Sequence, residues 1–359
     1  MTRPARAIIN LAALRHNLDQ VRQHAPDSKV IAVIKANGYG HGILRAAEGL
    51  KEADAFAVAC IEEAKQLRDA GYQHRILLLE GVFQKQELAS VIELTLEMVV
   101  HNSEQISWLE QADLESPITV WLKIDSGMHR LGVSPEDFSE SWSRLQSCVN
   151  VNDEIIVMTH MACADDRSSE SNLKQLALFK QATNSVQSPK SISNSAALMS
   201  IKEAHVDWVR PGIMLYGSSP FIGSIANDEN LQSVMTLRSE LIAVHDFKRG
   251  DKVGYGEHWV CPENMRVGVV AIGYGDGYPR HATNDTPVLV KGIKTNLAGR
   301  VSMDMITVDL RSIPDAVIGD EVVLWGEGLP IEQVADSVGT ISYELMCHIT
   351  PRVHIEVIN

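Results

Sequence analysis

Basic residues are in short supply. The chain has 32 Lys and Arg against 46 Asp and Glu, a formal net charge of -14 at pH 7. No stretch gathers Lys and Arg, and a chain of that sign repels phosphate backbones and anionic membrane surfaces, so neither nucleic acid nor a membrane is an expected partner. Cysteine is scarce as well. Cys60, Cys148, Cys163, Cys261 and Cys347 are scattered, odd in number and never in a Cys-x-x-Cys spacing, which speaks against a disulfide framework and against a zinc site. They read as reduced, and no metal is expected. Long apolar runs are missing: none approaches the ~20 residues that a membrane span needs. The first ten residues carry charge but no apolar h-region or small-residue cleavage site, so a cytoplasmic location is expected. Low-complexity tracts and blocks of like charge are absent.

What is present is an alternation. At 359 residues the chain exceeds what one hydrophobic core usually serves, so two domains are the first expectation. Leu11, Leu14, Leu18 and Val21 recur at helical spacing behind Asn10, a good N-cap, and predict a helix to about His24. The β-branched run Val30–Ile34 that follows suits a strand buried on both faces. Seven more strand candidates come after it, separated by segments of helical character: 55–60, 75–79, 97–100, 118–124, 154–159, 191–193 and 207–209. Eight such strands in about two hundred residues match a (β/α)8 TIM-type barrel in count and size, and a doubly wound open sheet matches nearly as well. After about Asn230 the texture changes to strand-like runs broken by turns, at 241–245, 266–272, 287–290, 305–310 and 321–325. The expected organisation is a barrel over 9–229 and an all-β domain over 230–359, with residues 1–8 packing on the latter.

In a barrel the C-terminal strand ends face the functional rim. Lys35 stands there, directly after Val30–Ile34 and before a turn containing Gly38, Gly40 and Gly42. A lysine in that position often does no more than reach solvent along its apolar stem. It is also the residue that condenses with an aldehyde to form a Schiff base, which pyridoxal chemistry requires.

Val33-Ile34-Lys35-Ala36-Asn37-Gly38-Tyr39-Gly40-His41-Gly42 resembles the attachment motif for pyridoxal 5'-phosphate (PLP) in alanine racemases. Further family signatures follow in order at Lys123–Gly132, Val209–Gly217, Val253–Gly256, Gly273–Tyr278, Gly299–Met305 and Ile341–Glu344. The resemblance spans nearly the whole chain. It implies a PLP-dependent isomerase that racemises alanine, supplies D-alanine for peptidoglycan and works as a homodimer with composite sites.

Carried over residue by residue, the resemblance makes Lys35 and, from the partner subunit, Tyr255 the two catalytic acid/base groups. Two groups on opposite faces are the economical way to remove a proton and return one with inversion. The resemblance places Tyr39, Ser195, Tyr343 and the amides of Gly212 and Ile213 at the phosphate, and Arg210 at the pyridine nitrogen, with His160 linking Arg210 to Tyr255. A guanidinium donates to that nitrogen without protonating it, which restrains the electron sink. Arg130 and the Met303 N–H match contacts to the substrate carboxylate. Lys123 matches a lysine that some members carry as a carbamate. Asp165, Tyr274, Arg280, Arg300 and Ile341 resemble the walls of the access channel. Gly38, Met161 and Ser302 depart from the commonest residues at their positions and bear on pocket size.

Rival readings are a PLP-dependent decarboxylase of the same plan and a single-domain PLP carrier. Arg210 opposes the first, because such decarboxylases place an acidic residue at the pyridine nitrogen. The second lacks the β-domain and hence Tyr255. Gly273-Tyr274-Gly275-Asp276-Gly277 lacks the spacing of a nucleotide-binding loop.

Overall fold

The short β-branched runs pair in parallel and close on themselves. In the computed structural model, which describes residues 3–359, β1 is Arg6–Asn10 and the next eight strands are β2 (Lys29–Val33), β3 (Ala55–Val58), β4 (Arg75–Leu78), β5 (Glu97–Val100), β6 (Val120–Lys123), β7 (Ile156–Met158), β8 (Lys190–Ser191) and β9 (Trp208–Val209). These eight hydrogen-bond in chain order, and β9 returns to β2 through Lys29 with Trp208 and Val30 with Val209. The choice between open sheet and barrel is thereby settled for the barrel, whose closure leaves no strand edge unpaired. All residues of β3, β5 and β6 are buried, as expected of strands covered by side-chain layers inside and helices outside.

Charge is buried at the N-terminal end of these strands. Arg75 pairs with Glu97, and Trp121 Nε1 donates to Glu97 Oε2 at 2.7 Å. The Arg75 guanidinium also lies 5.0 Å from the ring centre of Trp208. A carboxylate this buried is tolerable because each oxygen has a donor.

Helix α1 (Leu11–His24) begins where its cap predicts: Asn10 Oδ1 accepts from Ala13 N–H at 3.1 Å. Leu11, Leu14, Leu18 and Val21 are buried along its inner stripe.

The chain forms two compact units. One holds Arg15–Leu215 and Pro220–Gly223, including the barrel; the other holds the chain up to Leu14, Tyr216–Ser219 and Ser224–Asn359. The second unit is mostly strand: β10 (Met235–Phe247), β11 (Lys252–Val253), β12 (Trp259–Val260), β13 (Met265–Val270), β14 (Pro287–Val290), β15 (Ile293–Asn296), β16 (Ile306–Asp309), β17 (Glu321–Trp325) and β18 (His354–Ile358). Met235, Leu237, Ser239 and Leu241 of β10 are buried in strict alternation, so one face of that strand meets the core. β1 lies between β10, antiparallel, and β18, parallel. The expected packing of residues 1–8 on this domain extends to Met1 and Thr2, which lie outside the described residues. Two helices, Ile331–Val338 and Ser342–Cys347, interrupt the strand texture. The first buries Ile331, Val334, Ala335 and Val338, a spacing of 3, 4 and 7 that marks one helical face.

Candidate active site

The backbone after Lys35 turns the wrong way for L-residues. Ala36, Asn37 and Tyr39 have φ of 52°, 53° and 51°, and Gly38 joins them at 60°. Non-glycine residues in this region cost about 1 kcal/mol or more each and persist only where their surroundings over-determine them. Here the turn is tied by Gly38 N–H to Ile34 O at 2.9 Å, Gly42 N–H to Asn37 O at 2.8 Å and Ile43 N–H to Asn37 Oδ1 at 2.9 Å. Its result is to swing Tyr39 under the end of β9. A Cβ on Gly212 would come within 2.5 Å of Tyr39 Oη, so only glycine lets the phenol approach the backbone there. Ser195 joins the same corner from the first residue of helix Ser195–Ser200, its Oγ accepting from Gly212 N–H at 2.9 Å and Met214 N–H at 3.4 Å. Two hydroxyls and a run of backbone amides thus converge, a donor set that suits an oxyanion. Ile213, buried, lies between the two amides.

Cationic side chains gather at the same strand ends. Arg210 directly follows β9 and is buried; it donates to Ser191 Oγ at 2.5 Å and Thr159 O at 2.6 Å. Burial pushes its guanidinium down to about 10, which leaves it charged at neutral pH. Lys123 ends β6 with 6% of its surface exposed. Its ammonium is pushed down to about 8 by burial first, then by Arg210, Arg130 and Lys35, with Glu80 opposing. His160, two residues past β7, falls well below the ordinary histidine range through burial and then the fields of Arg210, Lys123, Arg130 and Lys35. Its ring is neutral at pH 7. Arg130 is exposed, on the loop that leaves β6. The structure therefore brings Lys35, Lys123, Arg130, His160 and Arg210 into one electrostatic cluster with positive charge to spare.

The other unit carries Tyr255, Tyr274, Arg280, Arg300, Met303, Ile341 and Tyr343. Tyr255 opens a turn in which Gly254, Gly256 and Glu257 all have positive φ, held by Lys252 Nζ to Glu257 Oε2 at 2.5 Å. It is 68% exposed, and Met303 is 52% exposed. Arg300 stands beside the turn, its guanidinium 3.1 Å from where a Cβ on Gly256 would lie. The loops presenting Tyr274 and Met303 are stapled together. Buried Asp276 takes Arg3 Nη2 at 2.6 Å and Gly273 N–H at 2.9 Å, and Arg352 reaches both Asp276 and Asp304, at 3.4 and 2.5 Å. Ile341, Tyr343, Arg280 and Tyr274 are exposed. Asp165 belongs to the barrel unit, exposed, its carbonyl accepting from Ile222 N–H at 3.4 Å.

Comparison with known proteins joins both units. The model of the alanine racemase N-terminal domain matches residues 9–220 and that of the C-terminal domain matches residues 234–357. A protein named alanine racemase from Vibrio parahaemolyticus is 52% identical over 354 residues, 98% of each chain. The chain belongs to the alanine racemase family. Another alanine racemase, from Aeromonas hydrophila, is 51% identical over 350 residues, again 98% of each chain. Among solved structures, biosynthetic alanine racemase from Pseudomonas aeruginosa superposes with a TM-score of 0.97 at 44% identity and full coverage of both chains. Alanine racemase from Acinetobacter baumannii follows at 0.94 and 37%, covering 99% of this chain and 100% of that one. Membership makes the chain an isomerase, and the resemblance carried by the motifs from Val33 to Glu344 is borne out. Sequence reasoning passed over Ser191 and Thr159, which hold Arg210, and Glu80. Their one signal is position, each standing at or next to a barrel strand end.

Proposed function

We propose that the chain interconverts L- and D-alanine with PLP held on Lys35, as a cytoplasmic homodimer that supplies D-alanine for peptidoglycan. The observation that carries this reading is the barrel mouth, where Lys35 stands among cations beside an oxyanion corner made by Tyr39, Ser195, Gly212 and Ile213. The donor set fits PLP: that corner suits the phosphate, with Tyr343 as a further hydroxyl, Lys35 Nζ suits the aldehyde, and Arg210, charged at neutral pH, suits a ring nitrogen that is to accept a hydrogen bond. Bound PLP supplies an electron sink that makes the Cα proton of an attached amino acid removable.

The side chains then have separate tasks. Lys35 Nζ holds or releases a proton on one face of the substrate, and Tyr255 of the partner subunit does so on the other. Neutral His160, hydrogen-bonding rather than charged, is suited to link that tyrosine to Arg210. Arg130 and the Met303 N–H orient the substrate carboxylate, and a carbamate on Lys123 would hold Arg130. Asp165, Tyr274, Arg280, Arg300 and Ile341 line the channel. The barrel is assigned to 9–229 and the β-domain to 230–359. The exposure of Tyr255 and Met303 supports a partner at that face, since aromatic and methionine side chains this open are what an interface covers.

Borohydride reduction in the presence of PLP should fix the cofactor on the peptide carrying Lys35. Recovery on a different lysine sinks the assignment.

A further inference from the structure

Glu80 stands two residues past β4, and its place is unusually well built. The turn Glu80-Gly81-Val82 is gripped from below by buried Gln105, whose Nε2 donates to Glu80 O and Val82 O, each at 3.1 Å. Gly81 adopts φ of 70° against Val99 O, which a Cβ would approach to 2.2 Å, so no other residue would let the chain turn there. The effect is to aim the Glu80 carboxylate across the mouth, its Oε1 4.0 Å from Lys35 Nζ. Around this pair Lys123 comes from β6, Arg130 from the loop beyond it, His160 from the end of β7 and Arg210 from the end of β9, all cationic or neutral. His101, after β5, also senses the Glu80 charge. Lys123 does too, Glu80 being the negative group opposing three cations around it.

We propose that Glu80 is a positioning residue for Lys35, an anionic tether that holds the ammonium in the barrel mouth and governs how readily the amine is free to react. The proposal rests on the reading of Lys35 as the reactive lysine. A neutral amine, not an ammonium, attacks a carbonyl carbon, so a carboxylate within ion-pair distance slows that attack and orients Nζ while it waits. Facing Lys35 from among these cations, Glu80 also limits the mutual repulsion that would push it aside.

The test is reductive methylation of the full-length protein before PLP is added, with the rate at Lys35 followed by peptide mass spectrometry at pH 8. Glu80→Gln keeps the shape and removes the charge. It should speed labelling of Lys35 about fivefold, the Boltzmann factor for one charge pair at 4 Å in water-like surroundings, while the melting temperature stays within a degree or two. Glu80→Asp restores the charge and should stay within twofold of wild type. Equal rates in Glu80→Gln and wild type, or an acceleration that Glu80→Asp shares, would overturn the proposal. Because labelling is read without cofactor, it is independent of the borohydride result: PLP fixed on another lysine would end the functional reading and leave this measurement intact.

Discussion

Replacing Lys123 with Met should make the cofactor-free protein more stable at pH 7, although Lys123 sits at the heart of the site. The ammonium is held in a buried place among Arg210, Arg130 and Lys35, and its titration falls from 10.5 to about 8. Each pH unit of that difference corresponds to about 1.4 kcal/mol, so keeping the charge costs the fold on the order of 3 kcal/mol. The sign follows from linkage. Below pH 8 both folded and unfolded chains hold the proton and the cost is felt in full. Between pH 8 and 10.5 the folded chain releases it while the unfolded chain keeps it, so stability rises with pH. Met is apolar and of similar length, and it lacks the charge. In buffer freed of carbon dioxide, Lys123→Met should therefore melt roughly 4 °C above wild type at pH 7, and the gap should narrow steadily from pH 8 to 10. Bicarbonate should reverse the order. Neutral Nζ attacks carbon dioxide and releases a proton to water, leaving a carbamate anion where the surrounding guanidiniums favour one. Only wild type can gain from this. A gap that ignores pH, or a variant less stable than wild type in carbon dioxide-free buffer, would refute the reasoning.

Tyr255→Phe should have a handed effect: exchange of the Cα proton of L-alanine in heavy water collapses while that of D-alanine, served by Lys35, persists, and equal loss from both would withdraw Tyr255 as the L-specific group. Mixing inactive Lys35→Ala with inactive Tyr255→Phe under subunit exchange should restore activity, because one site of the mixed dimer then receives both intact groups; no recovery despite verified exchange counts against composite sites. Arg210→Met should raise the pH at which His160 takes up a proton, followed by NMR of the ring protons, since Arg210 is the foremost charge holding it down.

Much of the scaffold is written locally. Helix α1 starts directly after Asn10 and ends at His24 because a cap and an apolar stripe act within a turn or two of themselves, and both can be read along the chain. Seven of the eight barrel strands fall in short apolar runs for the same reason, while β8, Lys190–Ser191, is polar and is a strand because β7 and β9 pair with it. The motif residues were legible as a family pattern. The helices Ile331–Val338 and Ser342–Cys347 were missed although the first shows helical spacing, because eight and six residues are too few to stand out from the strand-like runs around them.

What the chain order could not decide is whatever depends on residues far apart meeting. Closure of the barrel rests on Lys29 and Val30 finding Trp208 and Val209, and a periodic pattern carries no information on whether the last strand returns to the first. The parallel pairing of β1 with β18 is likewise a contact between the two ends of the described chain. The left-handed turn at Ala36–Tyr39 runs against local preference and exists because the N–H groups of Gly38, Gly42 and Ile43 donate to Ile34 O, Asn37 O and Asn37 Oδ1 and hold it. The charge state of the site belongs to the same class. Lys123 and His160 are shifted by burial and by cations that arrive from three different strand ends, and fields of that kind sum over space rather than along the sequence.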